Sequence, residues 1–293
     1  MIKWRGIVWS IHPLFVIIMM ASAVTGYFAE LITLFVIVLV HELGHVVAAR
    51  SFGWTIREVK LLPFGGVAEV EEAGGLSARE EALVAIAGPL QNVWMGALAW
   101  GLGAAGVWDG EWGHYVAQAN LMIALFNLLP IHPLDGGKLL QAAFSYFFQY
   151  YRVLVWSARI SLLTSLVMLG LSVAPLLTAE GGIQLNLLIV ALFLLATNWT
   201  YRRNIPLLFY RFLTRRGQFA DMALQAGKTA SPIMVSGSQS ILSVAKLFGR
   251  EKLHLIYVAE PDGSGFQMLP EGRIVEGCLS GASPYRAVKE LFS

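Results

Sequence analysis

The chain has little of what a soluble domain usually contains. Only 14% of its 293 residues are charged, against roughly 25% in ordinary globular domains. It holds one cysteine, Cys278, which excludes an internal disulfide framework. What is abundant is apolar, because 56% of the residues are hydrophobic and the mean hydropathy is +0.63. The composition therefore predicts a membrane protein.

Six apolar runs each approach the length of about 20 residues that is needed to cross a bilayer. They cover residues 7–29, 31–49, 82–107, 114–130, 158–178 and 183–199. Lys and Arg are missing from three of the connections, whose charged residues are Glu30, Asp109, Glu111 and Glu180. Basic residues stand in the other connections and outside both end runs. This alternation is what the positive-inside rule gives for six spans with both termini in the cytoplasm.

The composition changes after the last run, and three domains are predicted. Residues 1–200 hold the six spans, and residues 201–223, which mix basic and aromatic side chains, form an interfacial linker. Residues 224–293 are soluble in character and predict a small α+β domain. Its expected elements are strands at Ile233–Val235 and His254–Ala259, a helix at Ser238–Phe248 capped by Ser238, one or two strands within Phe266–Leu279, and a last helix at Pro284–Phe292.

The most informative motif is His41-Glu42-Leu43-Gly44-His45, inside the second apolar run. On a helix this spacing puts two imidazoles one turn apart on one face, where both can ligate one zinc ion. The adjacent Glu42 can serve as base for the attacking water. Ionisable residues are costly in hydrocarbon and usually mark function. The motif therefore predicts a zinc site within a membrane helix.

A catalytic zinc takes three protein ligands and keeps one position open. Asp135 is the candidate for the third ligand, because it follows the fourth run on the membrane side where the second run ends. The alternative for Asp135 is a turn or a helix cap before Gly136 and Gly137. His132 is a rival ligand, although a pocket role beside the metal suits it better.

The segment after the second run predicts a β-hairpin with strands at Val59–Leu62 and Val67–Val70. Gly65 and Gly66 permit sharp bending and close backbone approach. A membrane-spanning substrate helix must unwind before cleavage, since its peptide bonds lie in its own hydrogen bonds. A strand edge can pair with the freed segment, which favours a substrate-facing hairpin over a plain surface hairpin.

The histidine motif and the later Asn127-x-x-Pro130-x-x-Pro133-Leu134-Asp135-Gly136, in this order, resemble the site-2 protease family of intramembrane zinc metalloproteases. Phe64-Gly65-Gly66 and Gly88-Pro89-x-x-Asn92 resemble further segments of that family. The short N-terminus, the six runs and the tail are most similar to the sporulation branch, whose members process pro-sigma-K. The loop after the second run has no room for the PDZ domain of the branch that cleaves anti-sigma factors.

The resemblance implies an α-helical polytopic membrane protein with six transmembrane helices, a short membrane-associated β-hairpin and a small C-terminal α+β CBS-like domain. It implies that one Zn²⁺ is held by His41, His45 and Asp135, with Glu42 as general base. It further implies that the substrate-binding residues include Asn127 and Pro133, beside Phe64, Gly65 and Gly66 of the hairpin.

The CBS-like tail implies binding of ATP. Such domains usually bind nucleotide between two copies, and only one copy is visible, so a homo-oligomer formed through the tail is also expected. The other partners implied are a membrane-associated pro-sigma factor as substrate, inhibitory sporulation membrane proteins and the lipid bilayer, with no nucleic acid. The location implied is the mother-cell membrane around the forespore.

Three alternatives stay open. The first is a site-2-type protease that acts on another membrane-bound regulator. The second is a metal transporter or sensor with the same ligands, and the third is a metal-binding scaffold that no longer cleaves. A transporter should carry polar residues in several spans, whereas the fifth and sixth runs show almost none. The complete set of His41, Glu42, His45 and Asp135 argues against the inactive scaffold.

Overall fold

A computed structural model of the chain describes residues 2–4, 7–11, 26–62, 65–71, 77–177, 182–260, 265–280 and 283–292. The chain divides into two units, which are described separately. The first comprises Met1–Pro130 and Leu134–Leu139, and the second comprises Ile131–Pro133 and Leu140–Ser293.

The first unit contains a four-stranded sheet in the order β1-β2-β3-β4. The strands are β1 (Ile2–Trp4), β2 (Ile7–Ile11), β3 (Thr55–Leu62) and β4 (Gly65–Glu71). β3 and β4 pair antiparallel, which confirms the predicted hairpin, and β2 lies parallel to β3. Parallel neighbours need a crossover connection, and the helix that carries His41 and His45 lies in the chain between β2 and β3.

The predicted first span, 7–29, is wrong at both described ends. Residues Ile7–Ile11 form a strand instead of a helix, because this β-branched run pairs its backbone with Glu58–Leu61 of β3. The predicted end of the span lies in the next helix, which begins at Phe28. Residues 12–25 of this span lie outside the described residues.

Three long helices complete the first unit: α1 (Phe28–Ser51), α2 (Ala78–Ala104) and α3 (Gly110–Asn127). They contain the runs predicted as spans two, three and four, apart from a few residues at their ends. Ser77 and Asp109 cap α2 and α3, since each side chain accepts a hydrogen bond from a first-turn backbone N–H. A further helix, α4 (Asp135–Phe147), begins at Asp135 and was not predicted from the sequence.

Glycine allows α1 and α2 to approach closely beside the histidine motif. A side chain at Gly44 would come within 2.6 Å of Gln91 Cγ and 2.7 Å of the Ala87 carbonyl oxygen. Small residues at such points let membrane helices pack backbone to backbone. The motif face of α1 is therefore pressed against α2.

The second unit contains the larger part of α4 and two long helices, α5 (Tyr150–Val173) and α6 (Leu185–Arg203). A 3-10 turn follows α5 at Ala174–Leu177. Four helical segments of the described chain are long and apolar enough to cross a membrane. They are Phe28–Ser51, Ala78–Ala104, Tyr150–Leu176 and Leu185–Arg203. The fourth predicted span, in α3, is not among them.

Helices α5 and α6 bury more polar side chains than their hydropathy suggests. One face of α5 carries four fully buried serines, and α6 carries the buried Asn198. The serines are Ser157, Ser161, Ser165 and Ser172. Their hydroxyls were overlooked because serine counts little in a hydropathy average, while on one helix face small residues favour close packing.

The C-terminal part of the second unit holds a three-stranded sheet in the order β5-β6-β7, with β5 and β6 parallel. Its strands are β5 (Ala230–Ser236), β6 (Leu253–Ala259) and β7 (Phe266–Pro270), and its helices are α7 (Ile205–Thr214), α8 (Arg216–Gln225), α9 (Ile241–Ala245) and α10 (Glu271–Leu279). A 3-10 helix at Val288–Leu291 ends the described chain.

The α+β character predicted for the tail is confirmed, with three local corrections. The helix expected at Ser238–Phe248 is one short turn capped by Ser240, whose hydroxyl accepts from Ser243 N at 3.2 Å. The second half of Phe266–Leu279 is a helix instead of a strand, since α10 buries Ile274, Val275 and Cys278 on one face. The last predicted helix is reduced to the 3-10 turn. The turn expected at 261–265 lies, up to residue 264, outside the described residues.

One hydrophobic core joins the start of α5, helix α7 and the C-terminal sheet. Leu154 of α5 and Phe209 of α7 belong to the same cluster of buried residues as Phe248 and Ile256. Tyr150 N also donates to the Phe248 carbonyl at 3.0 Å. The segment predicted as an interfacial linker is therefore two helices, and part of it is packed in this core.

Arg216, the first residue of α8, is a cation buried in this core, with 2% of its surface exposed. Its Nε and Nη2 lie 2.5 and 2.6 Å from the two carboxylate oxygens of Glu271. Its Nη1 donates to the carbonyls of Gly249 and Arg250, and Nη2 also donates to the carbonyl of Lys252. A buried charge that is fully hydrogen-bonded in this way is tolerated in a folded core.

Candidate active site

The two motif histidines and Asp135 meet at one buried point. His41 Nε2 and His45 Nε2 lie 3.1 Å apart. Oδ2 of Asp135 lies 3.2 Å from the first nitrogen and 3.1 Å from the second. All three side chains are buried. The structure thus brings together the three residues predicted to ligate zinc.

Asp135 reaches the histidines because it is the first residue of α4. Gly136, the next residue, lies against the backbone carbonyls of Leu128 and Leu129, where any side chain would overlap them. Lys138 Nζ lies 3.4 Å from Asp135 Oδ1, the oxygen that faces away from the histidines. Backbone contact and an ion pair therefore fix the carboxylate at the site.

Each histidine is oriented through its other ring nitrogen. His45 Nδ1 lies 2.7 Å from the carbonyl oxygen of Val84, which can only accept, so Nδ1 carries the proton. His41 Nδ1 lies 2.5 Å from Oδ1 of Asn92 and donates to it in the same way. A neutral imidazole protonated at Nδ1 has its lone pair on Nε2. Both lone pairs therefore face Asp135.

This arrangement fits a divalent metal ion. Three lone-pair atoms within 3.2 Å of one another repel unless a cation lies among them. Zinc with ligand bonds of about 2.0–2.1 Å in tetrahedral geometry sets neighbouring ligand atoms about 3.3 Å apart, close to the separations found here. Imidazole nitrogen and carboxylate oxygen are also ligands that zinc takes.

Gly88 of α2 keeps the space beside the two rings free. A methyl group at this position would overlap Nε2 of His45 and come within 2.7 Å of His41 Nε2. In the sequence, Gly88 stands out only as part of a segment that resembles the family. In the structure it leaves room beside the two imidazole Nε2 atoms.

Glu42 lies on the same helix and is buried, with 5% of its surface exposed. His41, Glu42 and His45 each offer a ligand atom within 4.8 Å of the others. The carboxylate is thus close enough to exchange a proton with a molecule held at the histidines.

His132, the rival third ligand, has other partners. Its Nε2 lies 2.8 Å from Ser157 Oγ, and its ring stacks on Tyr201 with centroids 4.5 Å apart. Its backbone N–H donates to Ser161, and its carbonyl accepts from Asn198. Asp135, and not His132, lies with the histidine pair in the first unit.

The residues predicted to bind substrate are less clearly arranged. Asn127 is the last residue of α3, and its Nδ2 donates to the Ile123 carbonyl at 3.0 Å. Gly65 and Gly66 pair with Leu62 and Leu61 across the hairpin, and Pro133 is exposed in the second unit. Phe64 lies outside the described residues.

Comparisons with known proteins place the chain in a family. The model of peptidase family M50 matches residues 29–109 and 111–168. The solved site-2 protease of Methanocaldococcus jannaschii has a TM-score of 0.54 and 28% identity, over 69% of this chain and 94% of that chain. A zinc metalloprotease of the same organism is 32% identical over 54% of this chain and 44% of that protein. The chain belongs to peptidase family M50, the site-2 proteases, and is a zinc metalloprotease of the membrane.

One relative matches the chain almost from end to end. Stage IV sporulation protein FB of Bacillus subtilis (strain 168) is 34% identical over 99% of this chain and 98% of that protein. The similarity thus extends through the C-terminal sheet and is not confined to the protease motifs. The predicted resemblance to the sporulation branch is confirmed.

Proposed function

We propose that this protein is an intramembrane endopeptidase whose Zn²⁺ is held by His41, His45 and Asp135, with Glu42 as the general base. The observation that carries the proposal is the convergence of two imidazole Nε2 atoms and one carboxylate oxygen within 3.2 Å, all buried. The proton positions imposed by Val84 and Asn92 support it, because they turn both lone pairs toward the third ligand.

The reaction follows from these positions. Zinc at this site would polarise the scissile carbonyl and acidify the attacking water. Glu42 takes the proton from that water and gives it to the leaving amine, so that one carboxylate serves as base and then as acid. Burial of Glu42 keeps bulk water away from this proton. Lys138 pairs with the outer oxygen of Asp135, which leaves the inner oxygen available to hold the metal.

The substrate would be captured as an extended strand. In the described sheet β4 is at one edge, with β3 as its paired neighbour, so its free edge can accept a backbone segment. Gly65 and Gly66 permit close backbone approach there. Phe64, Asn127 and Pro133 complete the proposed substrate-binding residues.

The specific substrate that we propose is pro-sigma-K, whose pro-sequence would be removed during sporulation. The end-to-end similarity to stage IV sporulation protein FB supports this choice over another membrane-bound regulator. Both termini would then face the cytoplasm of the mother cell, where the protein would sit in the membrane around the forespore under the control of inhibitory sporulation membrane proteins. The domain boundaries at residues 200 and 223 stay predictions.

ATP binding by the C-terminal sheet and a homo-oligomer formed through it also stay predictions. The parallel pair β5 and β6 with the antiparallel β7 and helix α10 gives a small α+β unit, as a single CBS-like copy would. Equilibrium dialysis of the full-length protein with ATP, beside GTP, would test the nucleotide, and light scattering in detergent would test the oligomer.

The main experiment is co-expression with full-length pro-sigma-K, comparing the wild type with Glu42→Gln. The variant keeps all three metal ligands and removes the base, so we expect a shorter sigma factor with the wild type alone and one zinc per chain in both. Glu30→Gln is the matched control, because it makes the same change in the first turn of the same helix and should leave cleavage intact.

Two results would contradict the proposal. Cleavage by Glu42→Gln would remove Glu42 as the base. Zinc bound without any product from the wild type would keep the metal site but exclude pro-sigma-K as a substrate under these conditions.

A further inference from the structure

A row of buried amides connects His41 to the backbone of α3. Asn92 Oδ1 faces His41 Nδ1, and Asn92 Nδ2 donates to Asn120 Oδ1 at 3.2 Å. Asn120 Nδ2 in turn donates to the Val116 carbonyl at 2.9 Å. Asn92 and Asn120 are 1% and 0% exposed. Neither the histidine motif nor the Asp135 motif contains these two residues.

The direction of this row is fixed at one end. The Val116 carbonyl can only accept, so it selects the amide nitrogen of Asn120. The oxygen of Asn120 is thereby left to accept from the nitrogen of Asn92. The oxygen of Asn92 is then the atom that faces His41.

The orientation of Asn92 decides which nitrogen of His41 can bind a metal. A side-chain amide is nearly symmetric in shape, so packing alone hardly distinguishes its oxygen from its nitrogen. With oxygen toward the ring, Nδ1 carries the proton and the lone pair of Nε2 faces Asp135. A flipped Asn92 would donate to Nδ1 and leave the proton on Nε2, where it would block metal binding.

His45 needs no such relay, because the Val84 carbonyl accepts from its Nδ1 directly. The two ligands are thus oriented by backbone carbonyls in both cases, directly for His45 and through two amides for His41. Close packing of α2 against α3 lets the side chains of Asn92 and Asn120 meet, since a Cβ at Gly96 of α2 would lie 3.2 Å from Asn120 Cβ.

We propose that Asn120 is a positioning residue of the zinc site, acting through Asn92 to hold His41 in the tautomer whose Nε2 binds the metal. This inference rests on the proposed zinc site. Groups that orient metal-bound histidines typically contribute 10–100-fold to metal affinity, so we expect Asn120→Ala to weaken zinc binding about tenfold.

The test is a double-mutant cycle with Asn92→Asp. A carboxylate presents an oxygen to His41 whichever way it is turned, so it needs no partner to orient it. Zinc affinity is measured on the full-length protein in detergent by competition with a chelator. We expect Asn120→Ala to weaken zinc binding in the wild type and to have no weakening effect in the Asn92→Asp protein.

Each outcome decides something. An equal loss of affinity in both backgrounds would show that Asn120 acts through packing, and no loss in either would show that it does not act on the site; both overturn the inference. Ser165→Ala is the control, because it also removes a buried polar side chain that bonds within its own long helix, and it should bind zinc normally.

A wild type that binds no zinc, or whose zinc survives His41→Ala, would instead refute the proposed metal site and the inference with it. The Co²⁺ absorption spectrum of each variant reports the ligand geometry independently of cleavage.

Discussion

Arg216 and Glu271 form a two-point ion pair in the core of the second unit, where Nε and Nη2 of the guanidinium meet separate carboxylate oxygens at 2.5 and 2.6 Å. The two residues are far apart in the sequence and belong to α8 and α10. The pair therefore ties α8, which follows α7, to α10, the last α-helix of the described tail. His254 N also donates to Glu271, at 2.9 Å.

Glu271→Gln should destabilise the C-terminal sheet strongly. Removing one partner of a buried ion pair costs about 3–5 kcal/mol, because the remaining charge stays buried without compensation. Limited proteolysis or hydrogen exchange of the full-length protein would show the loss within residues 216–280. The control is Glu276→Gln on the same helix, whose exposed pair with Arg273 spans 3.9 Å and should contribute nothing measurable. Equal protection in both variants would contradict the role of the buried pair.

Acid should weaken the same region. Burial alone raises the pKa of Glu271, but hydrogen bonds from His254 and Arg216 outweigh it and hold the pKa below the ordinary 4.5. A lowered carboxyl pKa stabilises the fold above the ordinary value, and that stability disappears as the pH falls below 4.5 toward the folded pKa. Hydrogen exchange between pH 6 and pH 3 measures this, and Glu271→Gln should lack this component of the pH dependence.

Cys278 should be unreactive while the tail is folded. Burial raises the pKa of its thiol from 9.0 to about 11. Only the thiolate reacts with maleimides, and two pKa units mean about 100-fold less thiolate at neutral pH. Because the chain has one cysteine, labelling reports this site alone. We expect slow labelling of the native protein and fast labelling in denaturant. Fast labelling of the native protein would contradict the burial of α10.

Gly88→Ala should abolish zinc binding. The added methyl group would overlap the ring nitrogens of both motif histidines, and the helix backbone gives it no way to turn aside. Metal analysis of the purified protein measures the effect. Gly101→Ala makes the same change on the same helix, where nothing lies within 4 Å of the new carbon, so it should keep one zinc per chain. Normal zinc content in Gly88→Ala would refute the position of the metal.

The sequence singled out His41, His45 and Asp135, which the structure brings together, but it did not single out the residues that orient them. His41 and His45 are recognisable because their spacing matches a helical turn, and Asp135 because an acid beside two glycines follows an apolar run. Asn92 is recognisable only as the end of a segment that resembles the family, and Asn120 carries no signal at all, since the partner of each amide lies on another helix. Pairings between helices depend on packing, and one sequence does not contain them.

The same limit explains the misplaced elements. Ile7–Ile11 is as apolar as the start of a span, and what makes it a strand is pairing with residues of β3 that lie 50 positions later. Helix α4 was missed because its first residues, Asp135-Gly136-Gly137, are typical of a turn. Local composition favoured one structure in each case, and a distant contact stabilised another.

Gly136 contacts the carbonyls at the end of α3, so the position of Asp135 depends on the number of residues in the connection between α3 and α4. An extra residue between Leu129 and Asp135 would either lift Gly136 off those carbonyls or rotate the following helix by about 100°. Either change turns the carboxylate away from the histidines. We therefore expect insertions and deletions in this short connection to be as damaging as replacing Asp135 or a motif histidine, although none of these residues is altered.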